Sequence, residues 1–203
     1  QKFTKYQATI CVLGTGVGKT VVIPKLLSHY FDYKTPVIVT IPTVSSAVSA
    51  YGYAAMCLDV RKGFEVELRT AKYDFEYSPT ETKVLYSTEG FVSNMITTDE
   101  MLSKYGGILI DEAHTRGVDI DLLLSKVANI AKVRPEFRII IMSATIDPKE
   151  WIDFFNRYNI TNTLYQVEGM PSKHTITDKF NNVELKIADL EGEKMVDEID
   201  ELL

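Results

Sequence analysis

A glycine-rich turn lies between a predicted strand and a predicted helix near the beginning of the sequence. The strand is the apolar run 8–13, and the turn ends in Gly18-Lys19-Thr20. Glycines at positions 16 and 18 let the backbone curl closely around an anion, which the N–H groups at the start of the helix then bind. In such a loop the lysine reaches the terminal phosphates of a nucleotide, and the threonine hydroxyl ligates Mg²⁺. The turn therefore predicts a site for ATP or another nucleoside triphosphate at Thr15, Gly16, Val17, Gly18, Lys19 and Thr20.

Short apolar runs alternate with helical patterns along the rest of the chain. This alternation is typical of an α/β fold, in which a mostly parallel sheet is covered by helices on both faces. Further predicted strands are 37–41, 65–69, 83–86, 107–110, 138–142 and 164–167. The predicted helices are 21–31, 45–57, 90–96, 119–131 and 148–156, and residues 73–82 are predicted as a surface loop.

Acidic residues concentrate at the end of the chain, and they account for the net charge of −6. Residues 181–203 hold eight acids and two lysines, so the rest of the chain is neutral and neither supports nor excludes a nucleic-acid partner. We interpret 1–178 as one domain and 179–203 as an acidic tail, a linker or the start of a further domain. The sequence does not begin with Met, which favours a piece of a longer protein.

The composition is that of a globular protein, with 45% hydrophobic and 25% charged residues. No apolar run approaches the roughly 20 residues of a membrane span, and no signal peptide is recognisable. We therefore predict a cytoplasmic protein without a membrane segment. Cys11 and Cys57 do not form a disulfide framework, and both are predicted to be reduced residues of the core.

Two acids follow the apolar run 107–110. Asp111, at the carboxyl end of a predicted strand, can hold the hydration shell of Mg²⁺, and Glu112 can polarise an attacking water as general base. The alternative is a cluster of acids that stabilises a helix N-terminus. Ser143, Ala144 and Thr145 follow the run 138–142 at the same predicted sheet edge. The hydroxyls of Ser143 and Thr145 could bond the carboxylates, and the run could couple nucleotide state to the rest of the protein.

The order of these motifs resembles that of superfamily 2 helicases, specifically the DEAH/DExH-box RNA helicases. Gly-Val-Gly-Lys-Thr at 16–20, Asp-Glu-Ala-His at 111–114 and Ser-Ala-Thr at 143–145 are similar to motifs I, II and III. The likeness runs from residue 8 to residue 178, and it includes the runs 66–69, 84–90, 134–147 and 167–171.

The resemblance implies a RecA-like P-loop domain, the first of two in the same polypeptide. It implies catalytic roles for Lys19, Asp111, Glu112 and His114, a metal site at Thr20 and Asp111, and RNA contacts at Pro42, Thr43, Val44, Thr88, Glu89 and Gly90. For Pro42-Thr43 the alternative is a strand-to-helix turn that Thr43 caps.

The function that the resemblance implies is hydrolysis of ATP or another nucleoside triphosphate, coupled to RNA translocation and duplex unwinding. The second RecA-like domain would supply an arginine finger, so these 203 residues alone are expected to be nearly inactive. Pro42-Thr43-Val44 and Thr115-Arg116-Gly117 depart from the cellular pattern. Pro42-Thr43-Val44 and the run Tyr86-Ser87-Thr88-Glu89-Gly90 resemble viral DExH helicases, which implies a viral protein of the host cytoplasm with other replication proteins as partners. A DNA translocase of the same superfamily and a non-catalytic nucleotide- or RNA-binding module stay open as alternatives.

Overall fold

The computed structural model describes residues 5–14, 18–73, 80–115, 117–144 and 147–166. Within them one seven-stranded sheet forms, and every strand pair in it is parallel. The strands are β1 (Ala8–Val12), β2 (Val37–Thr40), β3 (Val66–Arg69), β4 (Val84–Ser87), β5 (Gly107–Ile110), β6 (Arg138–Ser143) and β7 (Asn162–Gln166). The helices are α1 (Lys19–Tyr30), α2 (Val44–Leu58), α3 (Glu89–Thr98), α4 (Val118–Val133) and α5 (Pro148–Arg157), with a 3₁₀ turn at Ala113–Thr115.

The strand order across the sheet is β3-β4-β2-β5-β6-β1-β7. Because all strands run in the same direction, the loops that follow β1, β2, β4, β5 and β6 leave from a single edge. Ligands of open α/β sheets bind in the crevice at this carboxyl edge, where strands that are distant in sequence become neighbours. The glycine-rich turn, the Asp-Glu pair and the Ser-Ala-Thr run all follow such strands, so the topology brings them to one side of the molecule.

Both faces of the sheet are buried, as the near-continuous apolar strand sequences predict. Ile139 and Ile141 of β6 pack with residues of α3, α4 and α5 on one face. Ile140 and Met142 of the same strand point the other way and pack with residues of α1 and α2. The predicted α/β fold with helices on both faces is therefore confirmed.

The prediction for one cysteine is wrong. Cys11 is buried in β1 as expected, but Cys57 is exposed, and neither forms a disulfide. Cys57 lies in the last turn of α2, where Ala54 and Ala55 turn toward the sheet and the neighbouring positions turn toward solvent. The predicted loop 73–82 and the acidic tail fall largely or wholly outside the described residues. None of the described helices combines the length and the apolar character that crossing a membrane would need.

Candidate nucleotide-binding site

The glycine-rich turn enters α1 through Gly18, which has a φ of 72°. This left-handed conformation is strained for residues with a Cβ, which explains the glycine. Thr15, Gly16 and Val17 lie outside the described residues. The start of the turn is fixed where the N–H of Leu13 donates to the carbonyl of Ser143 at 3.0 Å. The first turn of α1 carries no acidic side chain, so the positive end of its dipole is free to attract an anion.

Lys19 is the first residue of α1, and only 6% of its surface is exposed. Its Nζ finds no hydrogen-bond acceptor in the described part of the chain. It lies 3.4 Å from Oε1 of Glu112, an ion-pair distance. A buried ammonium without hydrogen bonds is costly, and an anion such as a nucleotide phosphate would satisfy it. The residues present therefore fit a triphosphate.

Thr20 and Asp111 lie 91 positions apart in sequence and touch in the structure, with the Thr20 hydroxyl donating to Asp111 Oδ2 at 2.5 Å. The other carboxylate oxygen of Asp111 accepts from the Glu112 amide at 2.9 Å. Burial raises the pKa of Asp111, while the hydrogen bonds from Thr20 and Glu112 and the charge of Lys19 act against that rise. A hydroxyl and a carboxylate side by side are the oxygen ligands that Mg²⁺ accepts together with phosphate oxygens and water.

Glu112 adopts a φ of 51°, in the left-handed region that non-glycine residues rarely enter. The conformation places its carboxylate between two partners. Oε1 faces Lys19 Nζ, and Oε2 lies 3.3 Å from Nδ1 of His114. The side chain is 36% exposed, so solvent reaches the carboxylate. In this conformation a solvent-accessible carboxylate lies beside the buried lysine.

His114 connects this group to the end of β6. Its Nδ1 lies 3.1 Å from the hydroxyl of Ser143, which is fully buried. Contacts therefore run without a break from Lys19 through Glu112 and His114 to Ser143. Ala144 follows Ser143 and is half-buried, and Thr145 lies outside the described residues. The expected partners of the hydroxyl were the carboxylates of Asp111 and Glu112, whereas the contact described for Ser143 is with His114 of the same motif.

A cleft runs beside these residues and has α2 as its second wall. One cavity of about 410 Å³ is lined by Gly18, Lys19, Thr20, Val21, Ser49, Ala50, Tyr53 and Glu112. A second cavity of about 270 Å³ shares several of these residues and adds Ile41, Pro42, Ser46 and Asp111. The sequence analysis did not identify Ser49 and Tyr53 as cleft residues. Ser46, Ser49, Ala50 and Tyr53 are three or four residues apart, a spacing that places them on one face of the helix. This spacing was the signal in the sequence that could have identified them.

The sequence model of the family described as DEAD/DEAH box helicase matches residues 2–154. The chain belongs to this family. A protein of Acanthamoeba polyphaga mimivirus named "Putative ATP-dependent RNA helicase L540" is 32% identical over 96% of this chain and 28% of its own length. The ATP-dependent RNA helicase HrpA of Borreliella burgdorferi is 35% identical over 70% of this chain and 17% of its own length. The chain thus spans less than a third of the length of these relatives.

The crystal structure of the E. coli DExH-box NTPase HrpB superposes on this helicase domain with a TM-score of 0.71 and 23% sequence identity. The match covers 81% of this chain and 20% of the other. At this identity the likeness concerns the fold, which is the RecA-like α/β fold that the sequence predicted.

The two segments predicted to contact RNA follow β2 and β4, which are neighbours in the sheet of this DEAD/DEAH box domain. Thr43 is exposed and caps α2, accepting a hydrogen bond from the Ser46 amide at 3.1 Å. The capping alternative is therefore confirmed, and the RNA contact stays a prediction. Thr88 is the N-cap residue of α3 and makes no side-chain capping bond. Glu89 is only 4% exposed, so contacts from 88–90 would come from backbone groups and the Thr88 hydroxyl.

Sequence reasoning missed Tyr86 of β4, which is fully buried beneath the site. Its hydroxyl donates to the backbone carbonyl of Thr20 at 2.9 Å. Burial, assisted by the negative charge of Asp111, raises the pKa of Tyr86, so the hydroxyl keeps its proton and acts as a donor. The contact joins residues 66 positions apart, and no local pattern indicates it.

Proposed function

We propose that this chain is the first RecA-like domain of an ATP-dependent RNA helicase. It would bind ATP or another nucleoside triphosphate with Mg²⁺ and couple hydrolysis to RNA translocation and duplex unwinding. The observation that carries the proposal is the convergence of a buried, unsatisfied lysine, a hydroxyl–carboxylate pair and a strained glutamate at one sheet edge.

Each residue of the site has a proposed role that follows from its chemistry. Lys19 would neutralise the terminal phosphates, and the hydroxyl of Thr20 and the carboxylate of Asp111 would hold Mg²⁺. The ion would supply positive charge where negative charge develops during phosphoryl transfer. Glu112 would accept a hydrogen bond from the attacking water and orient it, as its exposure and its position beside Lys19 allow.

The expected partners of this RecA-like domain are RNA and a second RecA-like domain. The relatives are named ATP-dependent RNA helicases and extend well beyond the matched region. Residues 42–44 and 88–90 would bind the RNA backbone, and such contacts do not require a basic surface. A viral source, with other replication proteins as partners in the host cytoplasm, is part of the proposal, and the relative from Acanthamoeba polyphaga mimivirus supports that source.

The decisive experiment compares NTPase activity of the natural full-length protein with no nucleic acid, with single-stranded RNA and with DNA of the same sequence. Stimulation by RNA beyond that by DNA supports the RNA helicase, because the 2′-hydroxyl distinguishes the two polymers. Equal or stronger stimulation by DNA favours the DNA translocase. Nucleotide binding without turnover under any of these conditions favours the non-catalytic module.

Asp111→Asn is expected to remove a pH-dependent part of the stability of the metal-free protein. Asparagine can still accept from the Glu112 amide and can donate to Thr20, so the packing is retained. Because burial raises the folded-state pKa of Asp111, its ionised form opposes folding, and that cost disappears as pH falls through the raised pKa. The free energy of unfolding of the variant should therefore exceed that of the wild type most at neutral pH.

The measurement is denaturant unfolding in EDTA from about pH 7 down to about pH 4, the range above the ordinary aspartate pKa. Asp153→Asn, at an exposed residue within α5, is the matched control and should show no comparable trend. A difference between Asp111→Asn and wild type that does not change with pH would contradict the raised pKa.

A further inference from the structure

Pro24 lies inside α1. In an α-helix the N–H of residue 24 would donate to the carbonyl of Thr20, four positions earlier. Proline has no N–H, and its ring crowds the carbonyl of residue i−4. The sequence therefore deprives the Thr20 carbonyl of its partner within the helix, in the first turn after the glycine-rich loop.

Tyr86 fills this gap from a neighbouring element. Its hydroxyl donates to the Thr20 carbonyl at 2.9 Å, and its ring is fully buried in the apolar layer between the sheet and α1 and α2. A buried carbonyl without a donor is costly, and a buried phenol needs an acceptor, so each group satisfies the other. The contact is the substitute for the hydrogen bond that Pro24 removes.

Thr20 is consequently held at two points. Its carbonyl is bound by Tyr86 and its hydroxyl donates to Asp111, so the residue cannot rotate or shift without breaking one of these bonds. The hydroxyl is the group that the proposed function assigns to Mg²⁺. Loss of the Tyr86 bond would free the carbonyl, loosen the first turn of α1 and let the hydroxyl drift from the metal position.

We propose that Tyr86 is a positioning residue, which compensates for Pro24 and thereby fixes Thr20 for binding of the metal–nucleotide complex. The inference rests on the proposed function for the identity of that complex. It assigns a role to a strand residue to which the sequence resemblance gave none. It also pairs that residue with a proline that, by itself, only weakens the helix.

The test uses four forms of the full-length protein, namely wild type, Tyr86→Phe, Pro24→Ala and the double variant. Phenylalanine keeps the ring and removes only the hydroxyl, while alanine at position 24 restores an N–H donor to the Thr20 carbonyl. The affinity for the fluorescent nucleotide mant-ATP is measured with Mg²⁺ and with EDTA, and thermal stability is recorded for each form. Tyr158→Phe is the matched control, because that ring packs on the opposite face of the sheet.

In the Pro24 background, we expect Tyr86→Phe to weaken mant-ATP binding about fivefold in Mg²⁺, the effect of one hydrogen bond, and to change it little in EDTA. With Pro24→Ala present, Tyr86→Phe should change the Mg²⁺-dependent affinity by less than about twofold. The loss of thermal stability that it causes should also be smaller than in the Pro24 background.

Two results would overturn the proposal. An unchanged Mg²⁺-dependent affinity in Tyr86→Phe would show that the bond does not position Thr20. Equal losses in the two backgrounds would show that the hydroxyl acts on something other than the carbonyl that Pro24 leaves unpaired. Binding is read without turnover, so a wild type that binds mant-ATP but hydrolyses no nucleotide would contradict the proposed function and still leave this comparison readable.

Discussion

Replacement of Glu112 by glutamine is expected to lower nucleoside triphosphate turnover by about 10²–10⁴-fold, the usual contribution of a general base. Glutamine has the same size and the same backbone preferences as glutamate, so the left-handed conformation at this position should persist. The amide cannot take a proton from water, and it carries no charge beside Lys19, 3.4 Å away. Binding of nucleotide should therefore remain within a few-fold of wild type.

The measurement pairs steady-state hydrolysis by the full-length protein at saturating RNA with mant-ATP affinity and thermal stability. Glu100→Gln, at an exposed residue after α3, is the control for loss of one carboxylate. If Glu112 only stabilised the following helical turn, the variant would show lower stability and nearly normal turnover. That outcome would remove Glu112 from the role of base.

The strands of the sheet interior could be predicted closely from the sequence, because burial on both faces produces uninterrupted apolar runs. The structure places β5 at Gly107–Ile110, which is the predicted run. It makes β6 one residue longer than the predicted strand 138–142, because β6 ends at Ser143. At the edge the prediction was less accurate. β7 begins at Asn162 rather than at residue 164. The first two residues are polar, so the apolar pattern did not include them, but their backbone pairs with β1. Pairing partners are not visible in a local pattern.

In the candidate site, too, some residues could be predicted from the sequence and others could not. Lys19, Asp111 and Glu112 were recognisable because each follows an apolar strand, and parallel strands bring such positions to one edge. The bond from Tyr86 to Thr20 depends on which strands are neighbours and on which face of β4 lies under α1. The left-handed conformation of Glu112 is one that glutamate rarely adopts, so the residue type gives no hint of it. Tertiary geometry therefore added the groups that position the motif residues.

Lys19→Met is expected to weaken nucleotide binding and to leave the stability of the nucleotide-free protein unchanged or higher. The ammonium is buried and makes no hydrogen bond within the described residues, so the free protein bears the cost of its desolvation. Methionine has a similar length and no charge, and Glu112 is exposed enough to be solvated without the lysine. The melting temperature of the nucleotide-free variant should equal or exceed that of wild type.

Nucleotide binding should show the reverse effect. Lys19 is the only positive side chain that lines the cavity of about 410 Å³ within the described residues. Its loss should weaken mant-ATP affinity in Mg²⁺ by about 10–10²-fold, the range for a hydrogen bond to a charged group. Lys25→Met, at an exposed residue of the same helix, is the matched control and should bind normally. Retained affinity in Lys19→Met would exclude the lysine from phosphate binding. A sharply lowered melting temperature with normal affinity would instead show that the buried ammonium stabilises the fold through its contact with Glu112.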